Sequence, residues 1–345
     1  MRRSLLVFAM LMLTSLLTAG PALACAGLIG PNGAVLVTRT TTLAAYVDGV
    51  EHYVTSFSFQ GGGAAFGSLI PLPGIPTKVE KGGAWTLQRL LRETTPLETA
   101  LSFRGAVPAS APMPAEILLT AKVDALDLTV LRGGAEAVAI WAKDQGFRLS
   151  PDAPEVLDFY AQRSPIFLAA VFDGNAAAER GQQIGDGTPV HITIPVEKPW
   201  VPLRILALGR TGDERVDADV FLLTEQRPAL LPQPFRSGLT LEHDAAATAA
   251  LLDDLRSDEG MDWVPSSAWL TKIRVAEEAS DLRYDLAIDP EGGAPSRIAA
   301  GFEMPGAAGS SQLPALPAVP SGEIALLSLI GVAYLGATLL LRARR

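Results

Sequence analysis

The sequence predicts an α+β fold, a β-rich domain with antiparallel sheets and a few short helices, followed by one C-terminal transmembrane helix. Three observations predict it. Apolar and polar residues alternate with period two in segment after segment, the mark of half-buried strands. Helical spacing is confined to short stretches of about ten residues. An uncharged run of 18, Ile324 to Leu341, closes the chain with Arg342, Arg344 and Arg345 behind it.

The two ends set the expected address. At 1.5 Å per residue, 18 helical residues span roughly 27 Å, close to the ~30 Å hydrocarbon core of a bilayer. Glu323 marks the outer edge of the run, and Arg342 is placed to snorkel at the other interface. At the N-terminus, Arg2 and Arg3 precede the apolar segment Leu5 to Leu17, and Ala22-Leu23-Ala24 supplies an A-x-A cleavage site, so residues 1–24 read as a secretory signal peptide. A cleaved signal and one stop-transfer helix place the domain outside the cytoplasm, in the periplasm or at the cell surface, with residues 323–345 as the transmembrane anchor whose basic end, Arg342 to Arg345, lies inside. Cys25 then opens the mature chain. It is the single cysteine of the sequence, so no intramolecular disulfide is expected. Acylation of its thiol, as in bacterial lipoproteins, is the alternative to plain cleavage, although Ala22 stands where such sites usually carry a large aliphatic residue.

Five of the 28 basic residues lie in these terminal segments, so residues 25–323 hold 23 basic against 37 acidic residues, a net charge of −14. That acidity argues against nucleic acid and against docking of the domain itself on anionic headgroups. The expected partners are the lipid bilayer, through residues 324–341, and an envelope or surface component of unknown identity. From Cys25 to Met304 there are 280 residues, enough for one elaborate domain or two smaller ones, and the polar, glycine-rich stretch Asp173 to Gly187 is the expected interior boundary. Residues 305–322 contain four prolines, three glycines and no charge, which reads as a solvated linker.

Within residues 25–304, His52 to Phe59 alternates as a strand, with Tyr53, Thr55, Phe57 and Phe59 facing one way. Phe66 to Pro76 carries prolines at 71, 73 and 76. Proline donates nothing to a ladder, so an extended edge segment is expected there in place of a central strand. Leu87, Leu90 and Leu91 mark a short amphipathic helix. Lys122 to Leu131 reads as a strand. Ala135 to Gln145 reads as a helix with Val138, Trp141 and Ala142 on one stripe and Gly146 placed for its C-cap. Ser150-Pro151-Asp152 opens a second helix whose apolar face is Val156, Phe159 and Tyr160. Ile166 to Phe172 reads as a buried strand, as do Val190 to Ile194, Leu203 to Leu208 and Ala218 to Thr224. Asp244 to Arg256 reads as a helix opened by Asp244. Trp269 to Val275 and Leu282 to Ile288 read as a final pair of alternating strands.

Several of these segments resemble, in their order, the bacterial family of secreted proteins known as domain of unknown function 2330. The similarity rests on ACAGLIG at the mature start, FGSLIPLPGIPTKVE, AIWAKDQGFRLSPDAPEVLDFYAQRSPIFLAAVF, VPLRILALG, DADVFLLTEQRP and AWLTKIRV, scattered over residues 25 to 290. Members of that family often carry a further early cysteine, which this chain lacks. The resemblance implies a signal peptide, an extracytoplasmic domain and frequently a C-terminal helix. It implies no activity.

Chemistry-bearing motifs are sparse. His52, His191 and His243 are too far apart for a local zinc motif, and neither HExxH nor CxxC occurs. His52 and His191 lie on polar-looking strand faces, where a surface or hydrogen-bonded imidazole is expected, and His243-Asp244 reads as a helix cap and its neighbour. No serine sits in G-x-S-x-G or three residues before a lysine. Asp253, Asp254, Asp258, Glu259 and Asp262 crowd around Gly260, but their spacing misses the calcium-loop pattern, so a solvated helix face and loop is expected. Gly61-Gly62-Gly63 lacks the lysine and hydroxyl of a phosphate loop and reads as a turn. No catalytic, cofactor-binding or metal-binding residue is assigned and no cofactor is expected. The reading is a non-catalytic binding or envelope-associated module. An exported hydrolase with a site assembled from distant residues, such as a Ser/His/Asp triad, is the alternative.

Overall fold

Residues 27–30, 33–35, 40–58, 66–94, 116–172, 187–235 and 238–305 are described by the computed structural model. The expected signal peptide, Cys25, the glycine triplet, nearly all of the 173–187 stretch, the linker beyond Pro305 and the expected transmembrane helix lie outside them. Among the described residues no helix is long and apolar enough to cross a membrane. All of these residues except Pro305 belong to one compact unit.

In chain order the strands are β1 (Gly27–Gly30), β2 (Gly33–Val35), β3 (Thr40–Val47), β4 (Val50–Ser58), β5 (Gly67–Pro71), β6 (Lys78–Lys81), β7 (Glu116–Val123) and β8 (Leu126–Arg132). They continue as β9 (Ile166–Phe172), β10 (Gly187–Pro195), β11 (Trp200–Val201), β12 (Arg215–Thr224), β13 (Ala229–Leu231), β14 (Leu239–Ala246), β15 (Trp269–Glu278) and β16 (Leu286–Asp289). The helices are α1 (Thr86–Thr94), α2 (Ala135–Asp144), α3 (Ala153–Ala161) and α4 (Ala249–Arg256).

Sheet I has the order β2-β1-β5-β9-β8-β7, sheet II the order β14-β15-β12-β3-β4-β10-β6, and a small third sheet the order β11-β16-β13. Pairing is antiparallel except where β3 runs parallel to β12. Strands from both sides of the 173–187 stretch share sheet II, where β10 pairs with β4 and β12 with β3, whereas sheet I is built from strands that precede the stretch.

Period-two alternation sorts each strand's side chains to two faces, and both faces are covered. The inner core joins Ile70, Leu128, Val130 and Leu168 of sheet I to Tyr53, Val190, Ile192, Val220, Leu222 and Ile273 of sheet II. The outer face of sheet I, with Leu69, Phe167 and Ala169, lies under Val138 and Trp141 of α2 and Val156 and Tyr160 of α3. The outer face of sheet II, with Leu43, Val54, Phe221 and Leu223, lies under Leu87 and Leu90 of α1 and Leu251 and Leu255 of α4. The α+β expectation is therefore realised as four layers, helix, sheet, sheet, helix, in which each helix spends its apolar stripe on one sheet.

Five local expectations are corrected. The first part of the proline-rich segment, Gly67–Pro71, is a central strand, because β5 lies between β1 and β9, while Pro73 and Pro76 lie beyond it outside any strand. Leu72 N donates to Ile166 O at 2.9 Å, so the missing N–H of Pro71 points to the opposite side, beyond the last described pair on β1, Gly27 with Leu69. Lys122 to Leu131 is the heart of a hairpin, turned at Asp124 (φ 51°), a residue type that tolerates the left-handed region. Leu203 to Leu208 is mostly a 3₁₀ turn, Arg204–Ala207, whose apolar residues are buried without strand pairing. Asp244 lies in β14, and the helix starts after Thr248, whose hydroxyl accepts from Leu251 N at 3.2 Å. Leu282 to Ile288 is strand only from Leu286, and β16 pairs with β11 and β13, not with β15.

Candidate functional site

Two of the three histidines meet on the outer face of sheet II. In the β4–β10 register Val54 opposes His191 and His52 opposes Thr193, so the two imidazoles are diagonal neighbours. His52 Nδ1 lies 2.9 Å from His191 Nε2, a single N–H···N hydrogen bond. The Trp263 ring covers them, with its centroid 3.9 Å from that of His52 at 10° between planes and 5.3 Å from that of His191. On the far side of His191, β6 places Glu80 directly opposite, and Glu80 Oε1 lies 3.6 Å from His191 Nδ1.

Both imidazoles are held neutral. Burial, followed by the neighbouring His191, pushes His52 down from 6.5 to about 4, with Asp262 pulling the other way. Burial, followed by Lys78, pushes His191 down to about 4, again against Asp262. The 3.6 Å approach to Glu80 is therefore not an ion pair at neutral pH, and His191 Nδ1 is buried without a hydrogen bond.

Trp263 reaches the pair because the preceding loop is fastened down. Asp258 Oδ2 accepts from Trp85 N at 2.9 Å, Thr86 N at 2.8 Å and Thr86 Oγ1 at 2.8 Å, satisfying orphan donors at the start of α1. Gly83 N donates to Glu259 O at 2.9 Å. Contact is close at Gly260 (φ +72°), where a Cβ would stand 2.7 Å from Lys81 O, and at Gly82, where one would stand 2.8 Å from the His191 Cβ. Met261 and Val264 are buried in the core beneath α1 and α4.

The acidic cluster separates into individual duties. Asp253 pairs with Arg256, Asp254 with Arg89 at 2.8 Å, and Glu259 with Lys81 at 3.7 Å, while Asp258 caps α1. Asp258 is 5% exposed, so the expectation of a solvated loop fails for that residue. Among the described residues no three His, Cys, Asp or Glu side chains are grouped to hold a metal. His243 does not join the pair. It lies on β14, four strands from β4, about 19 Å at the usual strand spacing. It is a strand residue opposite Lys272 and not the neighbour of a helix cap.

Two further buried polar groups escaped the sequence reading. Asp285, 0% exposed, takes the Tyr160 hydroxyl at 2.8 Å, Leu203 N at 2.7 Å and Arg204 N at 3.0 Å on Oδ1, and Arg163 Nη2 at 2.5 Å on Oδ2. This network ties α3 to the 3₁₀ turn and the small sheet. Glu51, equally buried, is its opposite: neither carboxyl oxygen has a hydrogen-bond partner of normal geometry. Burial raises its pKa to about 8, offset only in part by the Trp200 backbone. Neither residue lies in a motif. The one sequence signal was an acidic residue inside a strand run, which alternation alone assigns to a polar face.

No curated protein matches the chain. Among solved structures, baculovirus P35 is similar at a TM-score of 0.35 and 11% identity, over 76% of this chain and 92% of that one. A mutated baculovirus P35 after caspase cleavage gives 0.34 and 10%, over 73% and 94%. Likenesses this distant carry nothing over to this chain. A family model described as an uncharacterized protein conserved in bacteria matches residues 20–231, more than half of the sequence, and the chain belongs to that family, domain of unknown function 2330.

Proposed function

We propose that the protein is a membrane-tethered extracytoplasmic module that binds an envelope or surface component and performs no chemistry of its own. The observation behind this reading is the state of its imidazoles. A general base serves best with a pKa near the working pH and within reach of the proton it removes. His52 and His191 instead spend facing nitrogens on each other and stay neutral down to about pH 4. Among the described residues no hydroxyl or thiol hydrogen-bonds to either ring. The tether follows from the uncharged run 324–341 and the arginines behind it.

The test uses the full chain in detergent, screened against peptidase, esterase, glycosidase and phosphatase substrates with and without calcium or zinc. The expected outcome is no turnover. Turnover abolished by His52→Ala in a variant that remains folded would replace this reading with the hydrolase. Deleting residues 323–345 is expected to move the protein from the membrane to the soluble fraction, and retention in the membrane would contradict the tether.

A further inference from the structure

We propose that the His52–His191–Trp263 stack is a proton-operated latch, which holds the loop of residues 257–264 and the first turn of α1 on sheet II and releases them when both imidazoles are protonated.

The geometry assigns the protons of the closed state. His191 Nδ1 faces the Glu80 carboxylate, so a hydrogen belongs on that nitrogen and a lone pair there would be repelled. His191 Nε2 is then the acceptor, and the bridging hydrogen sits on His52 Nδ1. His52 Nε2 is left as the free lone pair. A first proton adds there and leaves the N–H···N bond intact, with the cation against the face of Trp263. A second proton has only His191 Nε2 to occupy. It sets N–H against N–H across 2.9 Å and two positive charges side by side beneath one indole. Trp263 then loses the flat surface on which it is seated.

The surrounding charges are too few or too engaged to absorb this. Glu80 and Lys78 on β6 pair with each other at 2.7 Å, and Lys81 on the same strand is held by Asp124 and Glu259. From the loop, Asp262 favours the charged imidazoles and Asp258 is committed to α1. From α1, Arg89 is paired with Glu93 and Asp254. Loop and helix are coupled through the Asp258 cap and the Gly83–Glu259 bond, so releasing Trp263 frees both. Release uncovers Met261 and Val264 with the Leu87 and Leu90 face of α1, an apolar surface hidden at neutral pH.

Hydrogen exchange on the full chain in detergent, corrected for intrinsic rates between about pH 7 and about pH 3.5, tests the latch. Protection of peptides spanning residues 257–264 and 83–94 is expected to fall by roughly tenfold or more per pH unit as pH drops from about 6.5 toward about 4 and to level off below, while residues 135–161 keep theirs. His52→Phe keeps a flat ring under Trp263 without a titrating nitrogen, and His191→Gln keeps a polar partner without one. Each variant that remains folded at neutral pH is expected to lose the step. The proposal is overturned if the step persists in either folded variant. It is equally overturned if, in the unaltered protein, residues 257–264 and 135–161 lose protection together.

Discussion

Replacing Glu51 with glutamine should change the pH dependence of stability by an amount that can be worked out beforehand. Glu51 is fully buried, and its carboxyl is raised from 4.5 to about 8 chiefly by burial. The folded state therefore keeps this proton over a range in which the unfolded chain has released it. A raised pKa contributes stability that is fully present below about 4.5 and is lost as pH rises through about 8. At 1.36 kcal/mol per pH unit, the whole loss is about 5 kcal/mol. The histidine pair acts with the opposite sign, since its folded pKa values lie below 6.5, so its contribution is lost as pH falls from about 6.5 toward about 4. Subtracting the Glu51→Gln curve from that of the unaltered protein cancels the histidine contribution. A buried amide with unmet donors costs about 1–3 kcal/mol at every pH. The variant should thus be no more stable than the parent near pH 4.5, and should gain on it by about 5 kcal/mol between there and pH 8.5 or so. Urea unfolding monitored by far-UV circular dichroism reads both curves. A difference that stays constant with pH would refute the assignment of a neutral, buried carboxyl.

Further substitutions test other parts of the fold in the same assay. Asp258→Ala removes the cap of α1 and leaves its three donors there and Glu259 N without this acceptor, which should cost about 3 kcal/mol; an unmoved midpoint would show that the loop does not anchor the helix. Arg163→Ala strips the buried Asp285 of its ion-pair partner and should cost about 3–5 kcal/mol, whereas Arg163→Ala with Asp285→Asn should recover part of that loss; equal costs for the single and double variants would argue against a charge imbalance. Tyr284→Ala removes a ring that is 6% exposed and should cost about 3 kcal/mol, more than Trp269→Ala, because Trp269 is only half-buried.

Local spacing carried much of the secondary structure. The stripe of Val138, Trp141 and Ala142 and that of Val156, Phe159 and Tyr160 mark α2 and α3, and both stripes are buried. Elements failed where a short apolar run suits two structures equally. Leu203 to Leu208 has strand composition, yet its backbone is satisfied within a 3₁₀ turn and by Asp285, some eighty residues downstream. Asp244 looks like a helix cap from its side chain alone, but it extends β14 and accepts the indole N–H of Trp269 at 2.7 Å. The candidate site was illegible for a related reason. His52 and His191 are 139 positions apart and meet only through the β4–β10 register, which no local pattern encodes. Glu80 and Trp263 complete the site from two further segments.

Histidine-selective ¹⁵N labelling of the full chain, with the ring nitrogens followed by NMR as pH falls, decides whether the paired imidazoles are a closed structural unit or an available base. Only three residues are labelled, which keeps the spectrum readable. The structure predicts that His52 and His191 remain neutral from about pH 7 down to about pH 4, with His52 protonated on Nδ1, His191 protonated on Nδ1, and a coupling across the N–H···N bond. Titration of either ring near pH 6.5, with no coupling between them, would contradict it.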